Sequence, residues 1–179
     1  SIRTRLSQIT YWIKDVNPDI LCLQETKVID DSFPLSPFEE LGYEVIKYGQ
    51  KSYNGVAIIS KLKIENAKKG FTYDSGEKNK LTKFNEQKRL ISANINGLKI
   101  INVYVPNGSS INSDKFDYKI EWLNHLSSFL DEQIREDDLV CLVGDFNIAP
   151  CELDIHSPQK YEGGIMASKM EREALNNVL

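Results

Sequence analysis

Two short apolar runs in this chain each close on a carboxylate. Asp19-Ile20-Leu21-Cys22-Leu23-Gln24-Glu25 reads as a short buried strand ending in the carboxylate of Glu25. Leu139-Val140-Cys141-Leu142-Val143-Gly144 leads into Asp145, with Asn147 two places further on. Five unbroken apolar residues are too short for a helix and suit a strand, so Leu139–Val143 is expected to be fully buried, with Gly144 ending it. If the backbone stays extended past the glycine, Asp145 and Asn147 share a face and point at one ligand. Gly-Asp-x-Asn is also an ordinary turn after a strand. What carries weight is recurrence, because a third run, Leu98 to Val105, delivers Tyr104 and then Asn107.

Polar groups at three strand ends converge on one rim if the strands belong to one sheet system. Two carboxylates about 4 Å apart repel by about 4 kcal/mol at an effective dielectric near 20. Such a pair persists with a shared proton or a cation between them. The donors are all oxygen, with no nearby His–Cys pattern, which suits Mg²⁺, or Mn²⁺ in its place, rather than zinc. A divalent ion would also reconcile an acidic rim with a phosphate ligand, and the chemistry that follows is phosphoester hydrolysis. In that scheme Asp145 orients or deprotonates the attacking water, while Asn147 and Tyr104 donate to the charge developing on phosphorus.

The rest of the chain reads as the scaffold for those ends. Ile2, Leu6, Ile9 and Ile13 recur at helical spacing and Asn17-Pro18 stops them, so an amphipathic helix opens the chain, with Ser1 as its expected N-cap. Tyr43–Tyr48 and Val56–Ile59 read as strands, the second entered through the turn Tyr53-Asn54-Gly55. Arg89–Asn94 and Leu98–Val105 form a hairpin about Asn96-Gly97. A helix capped at Ser113 or Asp114 carries Phe116, Ile120, Leu123, Leu126, Leu130 and Ile134 on one side. Ser168-Lys169-Met170-Glu171 is a capping box opening a last helix. Interleaved strands and helices predict an α/β fold in a single domain over residues 1–179.

Formal net charge is −4, which argues against a simple nucleic-acid coat, yet Lys61–Arg89 holds nine Lys/Arg against four Asp/Glu. A solvated loop or small irregular sheet would accommodate it; a basic flank for a phosphate backbone is the sharper reading. No apolar run reaches membrane-span length. Cys22, Cys141 and Cys151 have neither disulfide nor zinc spacing and read as reduced thiols, two of them buried, which places the expected location in the cytoplasm.

Four segments, Leu23-Gln24-Glu25-Thr26-Lys27, Tyr53-Asn54-Gly55-Val56-Ala57-Ile58, Asn102 to Gly108, and Gly144-Asp145-Phe146-Asn147, resemble in order and spacing the exonuclease III / apurinic-apyrimidinic endonuclease family. The resemblance spans nearly the whole chain. It implies a four-layer α/β/β/α sandwich of the DNase I-like type. It also implies a Mg²⁺-dependent DNA-repair nuclease acting at abasic sites or 3′ ends of duplex DNA, as a monomer without membrane contact. By position Glu25 resembles the metal-binding glutamate, with Asp145 and Asn147 as further candidate ligands. Tyr104, Asp145 and Asn147 resemble the catalytic set, and Asn107, Tyr53 and Arg89 are the expected substrate contacts. Arg3 and Arg5 resemble first-helix arginines of the family. A strand ending in a metal-site asparagine precedes this helix in the family, and an Asp-His segment follows the last one. The chain is therefore expected to be the middle of a longer enzyme, with His125 and His156 structural or solvent-exposed. Another phosphoesterase of the same superfamily, or a nucleic-acid-binding domain without catalysis, are the alternative functions.

Overall fold

The computed structural model describes residues 1–72 and 83–179. Helix α1 (Ile2–Val16) ends where Asn17 turns into the left-handed region at φ 54°. Ser1 takes the N-cap position, but its side chain makes no capping bond, contrary to its expected role. Strand β1 (Ile20–Gln24), a short helix α2 (Ser36–Glu39), β2 (Glu44–Tyr48) and β3 (Val56–Ser60) follow. Then come β4 (Ile64–Lys69), β5 (Leu90–Ile95) and β6 (Leu98–Tyr104). After α3 (Asp114–Gln133) the chain makes β7 (Leu139–Asp145), a single turn α4 (Pro158–Tyr161) and α5 (Lys169–Asn176).

These elements form two compact units. The first comprises residues 1–104 and 136–145, the second residues 105–135 and 146–179. In the first unit β1, β3 and β2 make an antiparallel sheet in that order, and β4, β5, β6 and β7 make a second one in which only β6 and β7 run parallel. The alternation of side chains along a strand assigns the packing. Ala57 and Ile59 of β3 pack with Ile2 and Ile13 of α1 and Phe38 of α2, while Val56 and Ile58 face Ile91, Ala93, Ile95 and Ile100 of the second sheet. Burying each of Ile58 and Ile91 in that inter-sheet layer contributes about 1.5–3 kcal/mol. The expected turn at Asn96-Gly97 is present, both residues at positive φ (50° and 80°), as a tight hairpin turn requires.

Several expectations are corrected here. Strand β7 is half-buried rather than fully buried, because among the described residues it is an edge of its sheet, with Leu139 70% exposed at its start. Extended geometry does not persist to Asn147, which sits at φ 51°, so Asp145 and Asn147 do not share a strand face. In the basic stretch, expected to be a long loop or a small irregular sheet, β4 pairs with β5 through a bulge between Glu65 and Lys68, while residues 73–82 lie outside the described ones. All three cysteines are free thiols. Cys22 and Cys141 are only half-buried and Cys151 is exposed, but burial first, and Cys141 second, push the Cys22 thiol up to about 12.

The second unit is built on α3, capped by Ser113 Oγ accepting from the Phe116 amide, and on α5. The expected capping box of α5 is complete: the Ser168 hydroxyl accepts from the Glu171 amide, and the Glu171 carboxylate accepts from the Ser168 amide. His125 lies in α3 and His156 in the loop before α4. No helix among the described residues is long and apolar enough to cross a membrane.

Candidate active site

Glu25 leaves the end of β1 in the left-handed region, φ 54°, a conformation that a non-glycine residue holds only when its surroundings enforce it. The enforcement is visible. The Thr26 amide donates to the Gly55 carbonyl at 3.2 Å, and the Lys27 amide to the Asn54 carbonyl at 2.9 Å. The Tyr53-Asn54-Gly55 turn therefore backs the Glu25 loop. Gly55 has no substitute there, since at φ 91° a Cβ would lie 2.2 Å from Thr26 Oγ1. Tyr53 itself stands 69% exposed on that turn.

Tyr104 ends β6 and pairs with Asp145 in the parallel register of β7. The same pairing sets Gly144 against Val103, whose carbonyl oxygen would lie 1.9 Å from a Cβ at position 144. Only glycine lets β7 approach closely enough to deliver Asp145 beside Tyr104. The phenol is pushed above its ordinary range, first by burial, then by Glu25 and Asp145, with Arg89 opposing them. The Tyr104 hydroxyl in turn helps, after Lys27, to hold the Glu25 carboxyl down. Arg89 stacks its guanidinium 4.6 Å from the Tyr104 ring centre and donates to the Tyr104 carbonyl at 3.1 Å. Glu25, Tyr104, Asp145 and Arg89 thus meet in the first unit at the ends of β1, β6 and β7 and the start of β5.

Two residues of this cluster escaped the sequence. Lys27 places Nζ 2.5 Å from a Glu25 oxygen and, by that hydrogen bond, holds the Glu25 carboxyl below its usual range. Asn102, fully buried, donates to the carbonyls of Leu23 (3.0 Å) and Ala57 (2.9 Å) and accepts from Gln24 Nε2 (2.7 Å). It thereby ties β6 to β1 and β3 across the two sheets, one residue from Glu25 and two from Tyr104. An asparagine inside an apolar strand was the available signal. A cavity of about 250 Å³ between α1 and β1 is lined by Arg5, Gln24, Glu25 and Lys27 among others. Arg5 therefore shares a cavity with Glu25, while Arg3 points to solvent.

Several described lysines of the basic stretch are paired within the chain. Lys61 donates to Asn17, Lys63 pairs with Glu65, Lys69 with Asp30, and Lys88 donates to Tyr48 and to the Asn85 carbonyl. Among the described residues no group of three or more His, Cys, Asp or Glu is arranged to hold a metal ion. Two carboxylates beside a phenol still fit a hard cation that keeps most of its water, and the Lys27 ammonium at Glu25 shows that the carboxylate is placed to take a positive charge.

In the second unit Asn107 and Asn147 are joined directly, Asn107 Nδ2 donating to Asn147 Oδ1 at 3.3 Å. Asn147 Nδ2 donates to the Val105 carbonyl at 2.9 Å, and Asn107 Oδ1 accepts from the Ser109 amide at 3.1 Å. Each carboxamide is oriented by a main-chain partner.

The sequence matches the Endonuclease/Exonuclease/phosphatase family over residues 3–173. The chain belongs to this family. Within it, the chain is 34% identical over 159 residues to an exodeoxyribonuclease III of Haemophilus influenzae, covering 86% of this chain and 57% of that one. Among solved structures it is similar to an AP endonuclease from Archaeoglobus fulgidus, at a TM-score of 0.90 and 38% identity, over 99% of this chain and 66% of that one. It is also similar to a Neisseria 3′ phosphatase, NExo, bound to a product DNA hairpin, at a TM-score of 0.88 and 36% identity, over 99% of this chain and 66% of that one. The two-sheet α/β architecture expected from the sequence is thus the DNase I-like one, and the chain spans less than two thirds of the curated relative. Members of the family are metal-dependent phosphoesterases.

Proposed function

We propose that this chain carries the catalytic residues of a divalent-metal-dependent DNA nuclease, which hydrolyses backbone phosphodiesters at abasic sites or removes nucleotides from 3′ ends. The observation that carries the reading is the meeting of Glu25 and Asp145 at the Tyr104 phenol, each from a different strand end. Glu25 and Asp145 would hold the cation, which supplies Lewis-acid polarisation of a phosphoryl oxygen when bound. Mg²⁺ fits the all-oxygen donors best. Asn147 was the third expected ligand. Its Oδ1 accepts from Asn107 and its Nδ2 donates to the Val105 carbonyl, and its role in the proposal is that of an amide donor to phosphate oxygen.

The remaining roles follow from protonation and orientation. Asp145 takes the proton of the attacking water or fixes that water for attack. Because the Tyr104 phenol is held above its ordinary range, it stays protonated at neutral pH and donates, rather than adding a third negative charge. Arg89 keeps the phenol ring in place by stacking and offers positive charge toward the phosphate backbone. Asn107 contacts phosphate through its carboxamide. Tyr53, exposed on the turn that braces Glu25, supplies a ring on which a sugar or base can rest.

The test is direct. Duplex oligonucleotides carrying either a synthetic abasic site or a recessed 3′ end are incubated with the full-length protein, in Mg²⁺ and in a chelator. Mg²⁺-dependent cleavage of either duplex is the expected result. Intact DNA in both, from a folded protein, would refute the reading.

A further inference from the structure

Lys119 occupies a position that a cation rarely takes. It lies on the buried stripe of α3, three residues after Phe116 and three before Trp122, and its side chain is fully buried. Its ammonium has three acceptors. One is the carboxylate of Glu171, itself fully buried. The other two are main-chain carbonyls, Asn147 at 2.7 Å and Asn107 at 3.3 Å. Glu171 in turn accepts from the Met166 amide (3.0 Å), the Ser168 amide (3.1 Å) and the Ser168 hydroxyl (2.6 Å), so its orientation is fixed by the cap of α5.

The two carbonyls lie forty residues apart in sequence, yet they belong to the two asparagines whose carboxamides are joined to each other. We propose that Lys119, oriented by Glu171, is a positioning residue for the nuclease reaction: its ammonium pins the main chain at Asn107 and Asn147 so that their carboxamides meet the phosphate in one fixed arrangement. This rests on the nuclease reading above. Gly108 belongs to the same device. At φ 88° it turns the chain over the Lys119 stem, where a Cβ would stand 3.1 Å from Lys119 Cδ. A compact ammonium with three tetrahedral donors suits three acceptors converging from different directions better than the planar fork of arginine.

A stabilising role alone would not need charge here, because a buried ion pair replaced by uncharged groups of similar volume is often neutral for stability. That separates the two accounts. In Lys119→Met combined with Glu171→Gln, no buried charge is left alone, but the donor to both asparagine carbonyls is gone. The full-length double variant is expected to unfold cooperatively at a lower Tm than the parent, because the Asn107 and Asn147 carbonyls lose their donor, while kcat on an abasic-site duplex, measured where the variant is fully folded, falls by about 10²-fold, with KM changed far less. The side-chain amide NMR signals of Asn107 and Asn147 should shift and broaden. Parent-like turnover with unchanged signals overturns the proposal. If the parent cleaves no DNA, the nuclease reading falls, and the amide signals alone decide whether Lys119 positions the asparagines. If the double variant does not fold, Ser168→Ala, which removes a hydrogen bond to the Glu171 carboxylate together with the N-cap bond of α5, is expected to lower kcat severalfold while Tm falls by only about a few degrees. Unchanged kcat there overturns the proposal too.

Discussion

Gln24 of one sheet donates to Asn102 of the other at 2.7 Å, and Asn102 donates back to two carbonyls of that first sheet, Leu23 on β1 and Ala57 on β3. This is the polar tie in an otherwise apolar inter-sheet layer. Replacing Asn102 by leucine leaves the Leu23 and Ala57 carbonyls buried without their donor, at about 1–3 kcal/mol for each such group. Asn102→Leu is expected to lower stability by about 3 kcal/mol in urea titration, with a smaller midpoint and an unchanged m-value. Unaltered stability would mean that the tie is incidental.

Gly144 permits the approach of β7 to β6. Gly144→Ala places a methyl against the Val103 carbonyl, at a φ of 151°. The change should cost well over ~1 kcal/mol, since the native backbone does not suit alanine, and it should move Asp145 away from Tyr104. Thermal denaturation measures the first effect, and loss of the upward shift in the Tyr104 phenol reports the second.

The Glu25 carboxyl is held low by Lys27. Its folded pKa lies below the unfolded value, so the pair stabilises the protein above the ordinary carboxylate pKa of 4.5 and loses that contribution as pH falls through the lower, folded value. Both side chains are more than a third exposed, so the contribution is at most about 1 kcal/mol and shrinks with salt. Lys27→Met should return the Glu25 titration, followed by NMR, towards 4.5. The same variant should bind Mg²⁺ more tightly, because the competing ammonium is gone. A Glu25 titration indifferent to Lys27 would contradict the pairing.

For Tyr104 the sign is opposite. The folded pKa is raised above 10, so the neutral phenol's contribution to stability is complete below pH 10 and is lost as pH rises through the folded value. Ultraviolet titration of the phenol in the parent and in Asp145→Asn should show the variant titrating lower. Tyr104→Phe should reduce cleavage by about 10²-fold if the hydroxyl donates to the transition state. A Phe variant as fast as the parent would assign the tyrosine to packing alone.

The strand-end acids, the Asn96-Gly97 hairpin and the Ser168–Glu171 box were legible because each is a local pattern: an apolar run with its punctuation, a turn dipeptide, a cap three residues from its partner. Lys119 carried no local signal, because its partners Asn147 and Glu171 lie 28 and 52 residues away. The Lys27–Glu25 contact depends on two left-handed residues in one loop, which no periodicity signals. The exposure of β7 and the break in extended backbone at Asn147 depend on which strand ends a sheet and how the loop leaves it. Neither is written in the strand's own residues.

The central claim is that the Asp145 and Glu25 carboxylates at the Tyr104 phenol perform metal-assisted phosphodiester hydrolysis. Its most direct test is single-turnover cleavage of an abasic-site duplex by the full-length protein and by Asp145→Asn and Glu25→Gln, across a Mg²⁺ titration. The account predicts that Asp145→Asn lowers the rate at saturating Mg²⁺ by about 10²–10⁴-fold, with the fold retained, and that Glu25→Gln shifts the Mg²⁺ midpoint to higher concentration. Parent-like rates and an unshifted midpoint in both variants would contradict it.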